Sequence, residues 1–548
     1  MTTISVGRLS IVVLIFSGFY GFSLINLFRL QIGQNNFFMQ RAQRQYNVSI
    51  VQTPPRACIY DRHGQPLALN KESFSAFITP NNLDDSKGVA DFLQKHFPQA
   101  HERLMTHRDD LFMYIKRRLS PEDILLIQKA ALPDINVLQE PNRFYPIPSL
   151  GHTIGSTDID NKGISGIELI CNERVAGKPT TYTLEKDARS QHFYFRKNTT
   201  NQGYEGKPVT LTLDADIQFL AYDELKEHID ATGAQEGAVL IMDTTTGDIL
   251  AMACYPDFDP NEPIDETQQW KTKNRIITEC YEFGSVMKIF PALAALSDGV
   301  VQPDEIIDCE NRKETYINGM KVTTWKECGP LTYTEVIRNS NNIGTAKVAL
   351  RLGKPLYEHY KKCGFTKPTG VHFLGEQYGF ITPPSQWSKA TPLSLSFGYE
   401  VNATLLQLAR GFTLLANNGS LVNPRLFIEP TLDKKTNQQQ IYATEIIDVL
   451  RNTINLDNES STAWHGRIPG YNIMGKTGSA YLITNGTYDH TRSIYTFSGI
   501  LEKGDYKRSV VVFVREPKPM GKKVYAATIA VPLFKKIAQA MLIHDKMV

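Results

Sequence analysis

The chain has 548 residues, more than one ordinary hydrophobic core accommodates, and its 59 basic and 57 acidic side chains leave a formal charge of +2. So small a net charge gives no bulk attraction to nucleic acid, no nucleic-acid partner is expected, and function has to be sought in local sites. Seven cysteines show no Cys-x-x-Cys and no metal-like Cys/His spacing, so a zinc site is not expected; no other metal and no cofactor enter the reading.

Leu9 to Phe28 is an uncharged apolar run bracketed by Arg8 and Arg29. At 1.5 Å per residue it spans about 30 Å, one bilayer core. The run continues into Asn26-Leu27-Phe28-Arg29-Leu30-Gln31 without a small-x-small cleavage site, which reads as an uncleaved single-pass anchor over residues 9–30 behind a tail of residues 1–8. Arg8 on one side faces Arg29, Arg41 and Arg44 on the other, so flanking charge alone does not favour an outside body. Long domains translocate largely regardless of that count.

Residues 31–205 lack a single dominant period and read as an irregular mixed pedestal. A strand-like Ile59-Tyr60-Asp61 precedes the turn Arg62-His63-Gly64, and residues 87–96 and 121–131 carry helical spacing. Residues 206–548 read as a second domain. It opens with Val209 to Asp214, a helix over 215–229 and a β-hairpin of 238–243 with 248–253. Strands over 472–478, 494–501 and 508–514 and an apolar helix near 526–542 follow much later. Five strands separated by a long helical insertion predict an α+β fold, an antiparallel sheet with helices on its faces. Within the insertion Cys309 and Cys328 lie symmetrically about Asn318-Gly319, a strong two-residue hairpin signal. A cross-strand disulfide and two unrelated thiols both fit that spacing.

Three short motifs carry chemistry. Ser285-Val-Met-Lys288 opens an apolar helix, and three residues apart on a helix the hydroxyl and the amine share a face, as proton transfer between them requires. Ser-x-x-Lys alone is expected roughly twice by chance in a chain this long, but a lysine inside an apolar helix is unusual. Ser340-Asn-Asn342 breaks two helical stretches and can place a hydroxyl and an amide over a cleft, or simply cap those helices. Lys476-Thr477-Gly478-Ser479 ends a predicted strand between Gly475 and Ala480. Its glycines permit close backbone approach, and its cation and hydroxyls suit a carboxylate on a strand added at that edge. The order Ser-x-x-Lys, Ser-x-Asn, Lys-Thr-Gly is the set of penicillin-binding proteins and class A β-lactamases, where the second motif often reads Ser-Asp-Asn.

Beyond these motifs the chain resembles the class B penicillin-binding proteins over nearly its whole length. Thr53 to Ala68 looks like that family's first pedestal motif, and Gly163-Ile-Ser-Gly-Ile-Glu168 to Pro179 like a later one. Gly237 to Ala253 is similar to the hairpin opening its transpeptidase domain, and Ser396-Phe-Gly-Tyr399 with Leu405 to Arg410 looks more like the septal, cell-division members than the elongation ones. The resemblance implies a serine β-lactamase-like fold and a peptidoglycan D,D-transpeptidase. In it Ser285 attacks a D-Ala-D-Ala stem peptide, Lys288 is the base, and Ser340 and Asn342 relay the proton and hold the substrate amide. Lys476, Thr477, Gly478 and Ser479 bind the carboxylate and, with the Ser285 N–H, the oxyanion. It further implies acylation by β-lactams, residence in the cytoplasmic membrane with the catalytic domain outside, and a separate membrane glycosyltransferase and other division proteins as partners. Departures are Ala57 and Glu400 where glycine is usual, Phe283 where proline commonly precedes Gly-Ser, and Pro291 inside the nucleophile helix, which is expected to bend it. An elongation-type transpeptidase and a non-catalytic β-lactam sensor or division scaffold of the same fold are the alternatives. A β-lactamase is disfavoured, because no Glu-x-x-Leu-Asn element follows Ser340.

Overall fold

The apolar run at the start of the chain folds as one helix, α1 (Val6–Phe28), which buries none of its side chains and continues through a π-turn to Gly33, long enough to cross a bilayer. The computed structural model describes residues 6–37, 39, 47–186, 193–428, 439–518 and 524–547. Arg41 and Arg44, which entered the charge count, lie outside them. The chain forms two units, residues 1–55 with 176–206 and residues 56–175 with 207–548, so the stretch read as a pedestal is divided between both. The first unit holds α1 and a three-stranded antiparallel sheet of Asn47–Gln52, Thr180–Lys186 and Phe193–Asn201.

In the second unit the long strand Pro66–Ile78 pairs with Met113–Lys116 and Asn136–Phe144. Helices Ser86–His96, Pro98–Thr106 and Pro121–Ala130 close a small core around Ala76, Leu93 and Ile115. The alternation along Pro66–Ile78 is interrupted by Asn70, Lys71 and Glu72, which hid a 13-residue strand from a search for period two. Ile59–Tyr60 joins this layer to the rest by parallel pairing with Val209–Thr210.

The largest body of the second unit is built on a five-stranded sheet of β1 (Glu236–Asp243), β2 (Ile249–Tyr255), β5 (Asn472–Thr484), β6 (Thr487–Lys503) and β7 (Tyr506–Arg515). Between β2 and β5 in the chain, β3 (Glu314–Ile317) and β4 (Met320–Thr323) form a separate hairpin arm. The large sheet runs β2-β1-β7-β6-β5, antiparallel throughout, with β5 at an edge. Over their central stretches the strands are buried on both faces. Val239, Ile241 and Val512 pack on helices at Ala215–Thr232 (α2) and Ala526–His544, whereas Ala238, Leu240 and Phe513 pack into the core shared with Ile289–Ser297 (α3) and Leu405–Ala416. The Ala526–His544 helix is apolar enough to span a bilayer but is mostly buried here, a core helix.

Cys309 and Cys328 are free thiols, so the disulfide admitted by their spacing is not formed. Asn318 and Gly319 do turn the arm with positive φ at both, and the register pairs Glu314 with Thr323. Below the arm, however, Asp308 pairs with Pro330, one residue out of step, and Glu310 and Asn311 adopt left-handed backbone between the two ladders. That slip removes Cys309 and Cys328 from direct opposition.

Candidate active site

Ser285 lies not in an α-helix but in a 3₁₀ turn, Gly284–Lys288, which passes into α3 at Ile289. In 3₁₀ geometry residues i and i+3 eclipse, so Ser285 and Lys288 line up along one edge. Pro291 is the third residue of α3, so its missing N–H falls just past the point where the 3₁₀ turn passes into α-helix.

Lys288 is completely buried. Its Nζ donates to the Ser340 carbonyl at 2.7 Å and to Asn342 Oδ1 at 2.5 Å and stands 3.1 Å from Ser340 Oγ. From the edge strand, Lys476 Nζ reaches the same Ser340 Oγ at 3.0 Å and the Thr477 carbonyl at 3.3 Å. Two amines from positions 188 residues apart in the chain therefore meet on one hydroxyl. Burial, and then the charge of Lys476, hold the Lys288 amine well below its ordinary value. Burial alone lowers Lys476 to about 7. Ser340 takes left-handed backbone, φ +54°, at the break between Tyr333–Arg338 and Asn342–Leu352 (α4), and Asn341 caps α4 by accepting from Gly344 N at 2.9 Å. The cap reading of this motif therefore holds for Asn341, while its two neighbours face the amines.

The glycines of the third motif differ in purpose. A Cβ on Gly478 would meet the Phe283 carbonyl at 2.3 Å, and one on Gly284, at φ +61°, the Ser479 carbonyl at 2.2 Å, so the strand and the Ser285 turn touch backbone to backbone. Gly475 instead makes room for the Phe497 ring. Gly398 stands against the Gly284 carbonyl, which explains the place of Ser396-Phe-Gly-Tyr399 beside the turn.

Ser285, Ser340, Asn342, Thr477 and Ser479 all line one cleft of about 590 Å³. The lining also includes Thr323, Trp325, Tyr399, Thr462 and Tyr525, which no motif had singled out as site residues. Thr462 Oγ1 lies 3.0 Å from Thr477 Oγ1. Trp325 follows the Asn-Gly hairpin directly, a signal that was available; Thr462 sits in a loop with none.

Residues 237–539 match the penicillin binding protein transpeptidase domain and residues 51–211 the penicillin-binding protein dimerisation domain. The chain is 28% identical over 543 residues to the probable peptidoglycan D,D-transpeptidase PenA of Neisseria gonorrhoeae, covering 97% of this chain and 91% of the relative. It is 28% identical over 503 residues to the peptidoglycan D,D-transpeptidase FtsI of Escherichia coli K12, covering 89% and 83%. In fold it is similar to penicillin binding protein 3 of Mycobacterium tuberculosis complexed with aztreonam, with a TM-score of 0.69 at 24% identity over 91% of this chain and 97% of the other.

Proposed function

Since the chain belongs to the penicillin-binding transpeptidases and is a peptidoglycan D,D-transpeptidase of the class B type, we propose that Ser285 is its nucleophile and Lys288 the base that activates it. The observation that carries this reading is the meeting of Lys288 and Lys476 on Ser340 Oγ, at 3.1 and 3.0 Å, beside the cleft that Ser285 lines.

Neutral Lys288 takes the Ser285 proton as Oγ attacks the penultimate D-alanine carbonyl. The oxyanion is met by backbone N–H groups where the 3₁₀ turn and β5 touch. Collapse breaks the C–N bond, and the leaving D-alanine nitrogen takes a proton through Ser340, which Lys476 and Lys288 both contact. An acceptor amine then attacks the ester, gives up its proton along the same relay, and releases Ser285. The donor peptide lies along the open edge of β5 with its carboxylate at Lys476, Thr477 and Ser479, and Gly478 keeps the strand close to the nucleophile. β-Lactams acylate Ser285 by the same attack.

The helix α1 anchors the chain in the cytoplasmic membrane with the catalytic domain outside, where crosslinking substrate resides. A separate membrane glycosyltransferase supplies the strands. The Ser396 to Tyr399 and Leu405 to Arg410 segments support a septal role. Intact mass after exposure to a fluorescent penicillin tests the chemistry: one adduct per chain, mapped to Ser285 and lost in Ser285→Ala, is expected, and an adduct retained in that variant sinks it. Depletion in cells tests the role, with filaments expected and rounded cells favouring elongation.

A further inference from the structure

Asn342 carries an amide whose two ends are not equivalent. Its Nδ2 donates to the Thr323 carbonyl at 2.6 Å, while its Oδ1 accepts from Lys288 Nζ at 2.5 Å. The Thr323 oxygen can only accept, so only this orientation satisfies both neighbours. A neutral amine has two N–H donors and one lone pair. The Ser340 carbonyl and Asn342 Oδ1 take the donors, which leaves the lone pair for a hydroxyl, Ser340 Oγ at 3.1 Å at rest and Ser285 in the proposed reaction. Turned through half a circle, the amide would offer N–H groups to Lys288 and occupy the lone pair that proton transfer needs.

Thr323 ends β4 of the hairpin arm. Val322, 1% exposed, seats the arm against Ile343 and Ala346 of α4 and against Leu393 and Phe397. Just beyond it Trp325 Nε1 donates to the Asn339 carbonyl at 2.7 Å. The arm thus grips the Ser-x-Asn stretch from both sides. We propose that the β3–β4 arm is a positioning element of the active site, in which the Thr323 carbonyl decides which end of Asn342 faces Lys288 and so where the lysine lone pair points. This rests on the reading of Lys288 as base.

The test uses the full chain in detergent, with acylation by a fluorescent penicillin followed at saturating and limiting concentrations. Val322→Ala loosens the arm from outside the cleft, and Trp325→Phe removes the donor to Asn339 while keeping a ring. Both are expected to label Ser285 to full stoichiometry but roughly 10-fold more slowly at saturation, with the half-saturating concentration little changed for Val322→Ala. In an Asn342→Ala background Val322→Ala should add no further slowing, because the amide through which it acts is gone. Equal slowing in both backgrounds, wild-type rates in both arm variants, or full rates at reduced stoichiometry would each overturn the proposal. A wild-type chain that takes no label overturns the Ser285 reading itself, and the proposal with it.

Discussion

In the mechanism proposed above the two lysines need different protonation states, and burial moves both amines toward the neutral form. Lys288 has to be neutral to accept a proton, so activity is lost as pH falls through its depressed value. Lys476 has to be cationic to attract a carboxylate, so activity is also lost as pH rises past about 7 in the free enzyme. A bell-shaped kcat/KM is expected, with the basic limb moving upward in kcat because bound carboxylate stabilises the ammonium. A basic limb identical in both parameters would argue against Lys476 as the carboxylate's partner. The same burial is a cost to the fold. In the unfolded chain Lys476 keeps its proton up to the ordinary value of 10.5, whereas the folded protein releases it near 7. Between those values the unfolded chain binds more protons, and the stability deficit closes as pH rises. Lys476→Met is therefore expected to be inactive yet more stable at neutral pH by about 2 kcal/mol, read as a raised Tm. These residues were legible in the sequence as three ordered motifs. Thr323, whose contribution is a backbone carbonyl, was not, because any residue type supplies one.

At the scale of elements, the nucleophile turn and the edge strand are fitted to each other by the absence of two side chains. Gly478→Ala would force its Cβ against the Phe283 carbonyl, which is backbone and cannot swing aside. Loss of acylation by at least 100-fold with the sheet intact by circular dichroism is expected; near-normal labelling would show that turn and strand do not need this contact. Glu400 shows the opposite case, a side chain at φ +57°, backbone that glycine adopts without strain. Its N–H donates to Glu282 Oε1 at 2.8 Å, and its charge helps burial raise the Glu282 carboxyl. Glu400→Gly should gain about 1 kcal/mol in stability by removing both strain and repulsion, measured by chemical denaturation. The sheet and its hairpin were readable from apolar runs bounded by turn residues. What sequence could not supply was the form of the Ser285 turn, since i to i+3 spacing suits α and 3₁₀ helices alike. The register slip beneath Cys309 is equally invisible, because it depends on two left-handed residues, Glu310 and Asn311, with no glycine to announce them.

For the molecule as a whole, part of the pedestal and the catalytic body share one unit, and an ion triad shows how the pedestal half is held. Glu168, with no exposed surface, receives Arg56 Nε at 2.7 Å and Arg143 Nε at 2.5 Å. Arg56 also donates to Asn172 Oδ1 at 2.8 Å, and Arg143 to the Ala57 carbonyl at 2.9 Å. The two pedestal motifs noticed in the sequence, around Arg56 and Glu168, are thus two halves of one buried contact, joined by an arginine that neither motif contains. Glu168→Gln leaves two guanidinium groups buried without a counter-charge, which typically costs 3–5 kcal/mol, about what one small domain has to spare. Asp61 and His63 of the same layer reach the start of α2, at Ala215 N and Asp214 Oδ2, so the loss should extend to the catalytic body. The Tm of Glu168→Gln and the temperature at which Ser285 labelling fails are expected to fall together. Labelling that outlasts the unfolding of the pedestal would mean that the two layers melt independently. Replacing all three charges by methionine should recover much of the loss, because a buried triad contributes little beyond matching its own charges.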